Sequence, residues 1–264
     1  MKIFSPAIVS TLLLVACTTV PITGRKQFNL LQESMLMGMA QSNYNDFLLT
    51  NNVVGDYDAQ AQMVKRCGEK IAAAAELFLK KNHQLNRIKD FKWEFNLVDD
   101  PTVNAWCMPG GKVVFYTGIM PICKDEDGLA VVMSHEVAHA VARHGNERMS
   151  QQLLVAAGGV TLAVAMNNKP SMTRDLFMLS YGAASGLGVL AFSRNHETEA
   201  DKMGLVFMEI AGYKSEAAID FWQRMAALSG GQKPPAMLST HPSDDKRIND
   251  IKAYIPIAKA QAKK

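Results

Sequence analysis

Ser134-His135-Glu136-Val137-Ala138-His139 sits inside a run from Leu129 to His144 that contains neither proline nor glycine. Residues four apart in an α-helix share a face, so His135 and His139 can turn both imidazoles toward one ion. Glu136 projects beside them, able to reach a water next to that ion without being a ligand. Leu129, Val132, Met133, Ala140 and Val141 give the run an apolar face, which predicts a core helix that carries polar groups inward.

Working outward, the next question is the third ligand, because a catalytic zinc site has three protein ligands and one open position. The metzincin spacing needs a histidine at position 145 and a glycine at 142, where this chain has Gly145 and Ala142. His144 falls about half a turn off the metal face of a continuous helix and is set aside. His196-Glu197-Thr198-Glu199-Ala200-Asp201 is the better source. Glu197 and Asp201 are one turn apart on one face. Glu197 can ligate, while Asp201 accepts a hydrogen bond from a ligand imidazole and so fixes its tautomer. Glu199 points elsewhere, toward solvent or a salt bridge.

The surroundings read as mostly helical. Periodicity predicts helices from Leu31 to Leu49 and from Ala59 to Lys80, then over 126–145, 147–166, 173–191, 195–211, 215–229 and 243–254. Between them, Trp93, Phe95 and Leu97 alternate with polar residues like a strand. Asn104 to Met108 and Val113 to Tyr116 flank a Pro109-Gly110-Gly111 turn. The fold class is therefore α+β, mostly helical, with a small antiparallel sheet. Two segments, Leu153 to Met166 and Leu176 to Phe192, are unusually apolar and rich in small residues, but each is shorter than the roughly 20 residues of a spanning helix. They read as a buried hairpin, or as one that faces membrane or covers the site.

Composition narrows the function classes. The 264 residues are 48% hydrophobic and 20% charged with net charge +3, which excludes disorder and a long coiled coil. No basic stripe is present, so no nucleic-acid partner is expected. Residues 1–16 read as a secretory signal. Leu14-Val15-Ala16-Cys17 resembles a bacterial lipobox, in which Cys17 receives lipid and becomes the mature N-terminus. Thr18 after it fits sorting to the outer membrane. Residues 17–29 are then a tether and 30–264 a single domain. Cys67, Cys107 and Cys123 remain, as one disulfide with a free thiol or as three buried thiols, and no CxxC offers a cysteine metal site.

The ordered motifs resemble the HtpX-like and CAAX-prenyl-protease-like zinc metallopeptidases, metallopeptidase family forty-eight, over about residues 60–255. HExxH is followed some sixty residues later by ExxAD. Asn104-Ala105-Trp106 leads to Pro109-Gly110-Gly111 like the family's edge-strand hairpin. Phe192-Ser193-Arg194 precedes Glu197, Gly204 follows Asp201, and Thr240-His241-Pro242 comes late, followed by Arg247-Ile248. The N-terminal pieces look most like the lipoprotein members.

That resemblance implies a gluzincin-type fold with one zinc per chain. His135, His139 and Glu197 would be its ligands, Glu136 the general base and Asp201 the carboxylate behind a ligand. His241 would be a catalytic residue near the cleft, contacting substrate, the tetrahedral intermediate or the metal in a closed state. Asn104, Ala105 and Trp106 would form the strand that pairs with substrate. The activity implied is endoproteolysis of unfolded or misfolded envelope proteins by an enzyme lipid-anchored at the periplasmic face of an outer membrane. Two rivals remain. One is a lipid-anchored chaperone or assembly factor for outer-membrane proteins with a latent zinc site. The other is a structural zinc domain with His241 as fourth ligand.

Overall fold

The computed structural model describes residues 17–156, 170–181, 192–228, 235–241 and 245–263. The expected signal peptide, much of both apolar segments, Pro242 and Ser243 lie outside the described residues. The expected tether contains a small antiparallel hairpin, Cys17–Thr19 (β1) with Lys26–Phe28 (β2). Its turn is closed by Val20 N–H donating to Arg25 O at 2.9 Å, with Gly24 at φ +67°.

Glu33–Thr50 (α1) buries Leu36, Ala40, Tyr44 and Phe47 along one stripe. Ala59–Lys81 (α2) starts where Asp58 accepts hydrogen bonds from the Gln60 and Ala61 N–H groups, a sound N-cap. Its buried face runs through Val64, Cys67, Gly68, Ile71, Ala75 and Phe78. The sheet follows as Glu94–Val98 (β3), Ala105–Met108 (β4) and Lys112–Tyr116 (β5), in the order β3-β5-β4.

β4 and β5 form the expected antiparallel hairpin, with Cys107 opposite Val113. The sheet as a whole is mixed rather than antiparallel, because β3 runs parallel to β5 with Phe95 opposite Val113. The reason is β5 itself. Every one of its residues is buried, and a strand covered on both faces belongs in the middle of a sheet. Gly111 makes the tight return possible, at φ +82° and with Trp93 where a Cβ would stand.

Met120–Cys123 (α3) leads into Glu126–Ala142 (α4), capped by the Asp125 carboxylate on Gly128 N–H at 2.9 Å. From Gly128 onward α4 is buried all round, as suits the central helix of a large core. It stops sooner than its periodicity predicts. Arg143 is left-handed at φ +60°, and His144–Ala156 (α5) starts afresh. Pro170–Tyr181 (α6) precedes Arg194–Ala211 (α7), which is capped by Ser193 on His196 N–H and ended by Gly212 at φ +83°. Ala217–Ala227 (α8), Ala236–Thr240 (α9) and Asp245–Ala262 (α10) complete the chain. α10 runs through Pro256, past its predicted end, because Ile255 and Ala258 on either side are held in the core.

Cys67, Cys107 and Cys123 are all buried free thiols, which settles the alternatives left by the cysteine count. Among the described residues no helix is long and apolar enough to cross a membrane.

α4 and α7 pack closely where Gly204 faces Ser134 and His135. A Cβ there would stand 3.2 Å from the His135 nitrogen. Gly68 does the same for α2 against the sheet, with the Phe95 ring 2.3 Å from a Cβ position. Alanine is the better helix former by about 1 kcal/mol, so any loss in Gly68→Ala must come from the ring. We expect a net destabilisation of about 1–3 kcal/mol, read as a lower denaturant midpoint. An unchanged or raised midpoint would contradict this packing.

Candidate metal centre

α4 supplies His135, Glu136 and His139, α7 supplies Glu197 and Asp201, and the end of α9 supplies His241. One donor atom from each of His135, His139, Glu197 and His241 lies within 4.8 Å of the others, and all four residues are buried. His135 Nε2 is 3.0 Å from His139 Nε2 and 3.2 Å from His241 Nδ1. Glu197 places Oε1 3.3 Å from His139 Nε2 and 3.0 Å from His241 Nδ1, and Oε2 3.4 Å from His135 Nε2.

Imidazole lone pairs brought this close repel unless a proton or cation lies between them. A tetrahedron of ligands about 2.0–2.1 Å from zinc has edges of about 3.3–3.4 Å. The observed separations of 3.0–3.4 Å are close to that cage. The donor set, imidazole nitrogen with one carboxylate, suits a divalent first-row metal ion, zinc among them.

Charge is arranged to match. Burial holds His139 well below the usual imidazole range, so its ring is neutral. Burial alone would raise Glu197, but His241, Arg247 and His135 outweigh it and hold the carboxylate well below its ordinary range. Burial pushes the Glu136 carboxyl up, with His241 and His135 opposing. Glu136 Oε1 accepts no hydrogen bond among the described residues, although His241 Nε2 lies 3.4 Å away. Phe192 lies over the cluster, its ring stacked 4.0 Å from that of His139.

Asp201 stands where the spacing puts it, with Oδ1 3.0 Å from His135 Nδ1. That contact takes the Nδ1 proton, so that Nε2 is the nitrogen that offers its lone pair to the cluster once its own proton is displaced. Arg247 holds Asp201 with a two-pronged grip at 2.8 Å and reaches Glu197 Oε2 at 3.0 Å. Its guanidinium lies 3.5 Å from the centre of the Trp222 ring. The sequence contains Arg247 only as part of a late motif, and its role in holding both carboxylates was missed.

Glu199 is buried rather than solvent-side, in a salt bridge to Arg25 and a hydrogen bond with His144. His144, set aside on helical phase, has Nδ1 3.0 Å from His139 Nδ1. It is not among the four clustered donors, as expected, and it reaches the back of His139 because α4 and α5 are separate helices.

β4 is an edge strand. Tyr116 N–H donates to Asn104 O at 3.2 Å, so Asn104, Trp106 and Met108 face β5. Ala105 and Cys107 therefore turn their main-chain N–H and C=O toward the open edge. Trp106 anchors the strand edge-on against Tyr44 and Phe47. Burial, and then the Glu136 charge, push the Cys107 thiol of this strand well up.

Metal must compete with protons here. Burial opposes it, but Glu197 and Asp201 raise His135 to about 9. Below that pH His135 carries an extra proton that an incoming cation displaces. Apparent zinc affinity should therefore rise about tenfold per pH unit through the neutral range and level off above about 9. Chelator competition at pH 6, 7 and 8 checks this, and a flat profile would contradict it.

Comparison with known proteins adds an independent line. The family described as Peptidase family M48 matches residues 58–255. Over 245 residues the chain is 36% identical to the mitochondrial metalloendopeptidase OMA1 of Schizosaccharomyces pombe, covering 92% of this chain and 67% of that one. It is 37% identical over 179 residues to the Saccharomyces cerevisiae protein of that name, covering 63% and 48%. It is 32% identical over 164 residues to the putative beta-barrel assembly-enhancing protease of Vibrio cholerae, covering 59% and 33%. The chain thus spans only part of the length of each of these relatives.

Proposed function

The chain belongs to peptidase family M48, and with that membership a metalloprotease, a hydrolase of peptide bonds; we propose that it is a zinc endopeptidase acting on unfolded or misfolded cell-envelope proteins. The observation that carries the reading is the convergence of His135, His139 and Glu197 beside a buried Glu136 whose Oε1 accepts no hydrogen bond.

When bound, zinc would polarise the scissile carbonyl and lower the pKa of water toward neutrality. The chain's residues divide the remaining work. Glu136, raised by burial, takes the proton of the attacking water and passes it to the leaving amine. Asp201 and Arg247 keep the His135 ring fixed in the orientation that presents Nε2. Ala105 and Cys107 pair backbone to backbone with an extended substrate, with Asn104 and Trp106 holding the strand in place. Pairing of that kind reads extended chain more than side chains, which suits unfolded substrates.

His241 supports a second aspect of the reading. Its Nδ1 sits among the donors, and a catalytic zinc site keeps one position open. We read this arrangement as a latent state in which His241 occupies the position that substrate or water takes on activation. A lipid-anchored assembly factor with a latent zinc site is the alternative function.

The name of the Vibrio cholerae relative, a putative beta-barrel assembly-enhancing protease, supports beta-barrel proteins as clients. The OMA1 relatives are mitochondrial by name, so location rests on the lipobox reading of Cys17. Within the family, the HtpX-like and CAAX-prenyl-protease-like placement rests on the motifs alone.

The test is the full chain with zinc, and with chelator, against casein. Cleavage should be lost with chelator. Glu136→Gln should cut the rate by about 10²–10⁴-fold while zinc stays bound. Retained turnover in Glu136→Gln would remove the mechanism. His241→Ala should raise the basal rate if His241 is a latch, and lower it if His241 is needed in the reaction.

A further inference from the structure

A second set of buried charges lies behind the metal centre, and nothing in the reaction as described uses it. His144 Nδ1 is 3.0 Å from His139 Nδ1, and His144 Nε2 is 3.1 Å from Glu199 Oε2. Arg25, from the turn of the β1–β2 hairpin, holds Glu199 by Nε and Nη2 at 2.8 and 2.9 Å. The same guanidinium grips both oxygens of Glu147 at 2.7 Å. Thr23 Oγ1 donates to Glu199 Oε1 at 2.8 Å. Two buried carboxylates on one partly exposed arginine give a firm hold, because the planar fork meets carboxylate oxygens through Nε, Nη1 and Nη2, and Nη1 also donates to the Lys26 carbonyl.

The proton order follows from satisfying every atom. An ionised Glu199 only accepts, so His144 donates from Nε2. A singly protonated His144 then offers a lone pair at Nδ1. Only a proton on His139 Nδ1 can fill that contact, which leaves His139 Nε2 as the lone pair facing His135 and Glu197. This is the tautomer a metal ligand needs. His135 is set the same way, by Asp201 and Arg247, so each ligand imidazole has its own chain of partners ending on an arginine.

We propose that His144 is a positioning residue for His139, with Glu199 holding His144 and Arg25 of the N-terminal hairpin holding Glu199. The inference rests on the reading of His135, His139 and Glu197 as the metal ligands. It makes the hairpin part of the metal centre, although no hairpin atom is a donor there.

The experiment measures zinc affinity of the full chain by chelator competition, together with the visible absorption of the cobalt(II)-loaded protein. Melting of the metal-free protein shows that each variant is folded. His144→Leu, close in volume but unable to hydrogen-bond, should weaken zinc by about 10–100-fold and alter the cobalt bands. His144→Gln can accept from His139 and donate to Glu199, and should recover much of the loss. Arg25→Met should weaken zinc measurably but less than His144→Leu. His139→Ala is the control.

If His139→Ala binds zinc normally, the ligand reading falls first. If His139→Ala loses zinc while His144→Leu keeps full affinity and unchanged cobalt bands, the positioning proposal is overturned. A folded His144→Gln as weak as His144→Leu would overturn the hydrogen-bonding role. Arg25→Met at wild-type affinity would overturn the role of the hairpin.

Discussion

The constraint on which the structure depends is the burial of imidazole and carboxylate donors within a few ångströms of each other. Neutral rings whose lone pairs face one another repel, and a carboxylate removed from water is costly. The fold tolerates this cluster because it offers a place for a cation and because charged partners stand behind the donors. Arg247 answers Glu197 and Asp201, and Arg25 answers Glu199 and Glu147. α4 and α7 carry the donors, and Gly204 lets them approach closely enough for two histidines to meet a carboxylate.

Much of this could be read from the chain. HExxH on an apolar helix and the Glu197–Asp201 pair both follow from residues four apart sharing a face, and the structure places them together as that spacing requires. The Pro109-Gly110-Gly111 return is likewise local. What failed were features that depend on distance along the chain. Alternation identifies β3 as a strand but carries no information on its direction relative to β5.

Setting His144 aside as a ligand agrees with the donor cluster, but its contact with the back of His139 depends on one left-handed residue, Arg143, which ends the phase of α4. Nothing local marks Arg25, because its partners are more than a hundred residues away. α10 passes Pro256 for the same reason, since tertiary packing outweighs a local helix-breaking preference.

The residues of the centre are drawn from almost the whole length of the chain, Arg25 near one end and Arg247 near the other. Local folding of α4 alone gives two histidines and Glu136 with no third donor. The centre closes only when segments separated by two hundred residues have docked, a step that follows the long-range loop closures. A chain still being made therefore holds the two histidines of α4 without the rest of the donor cluster. Arg247, which holds Glu197 and Asp201, arrives only with the last helix.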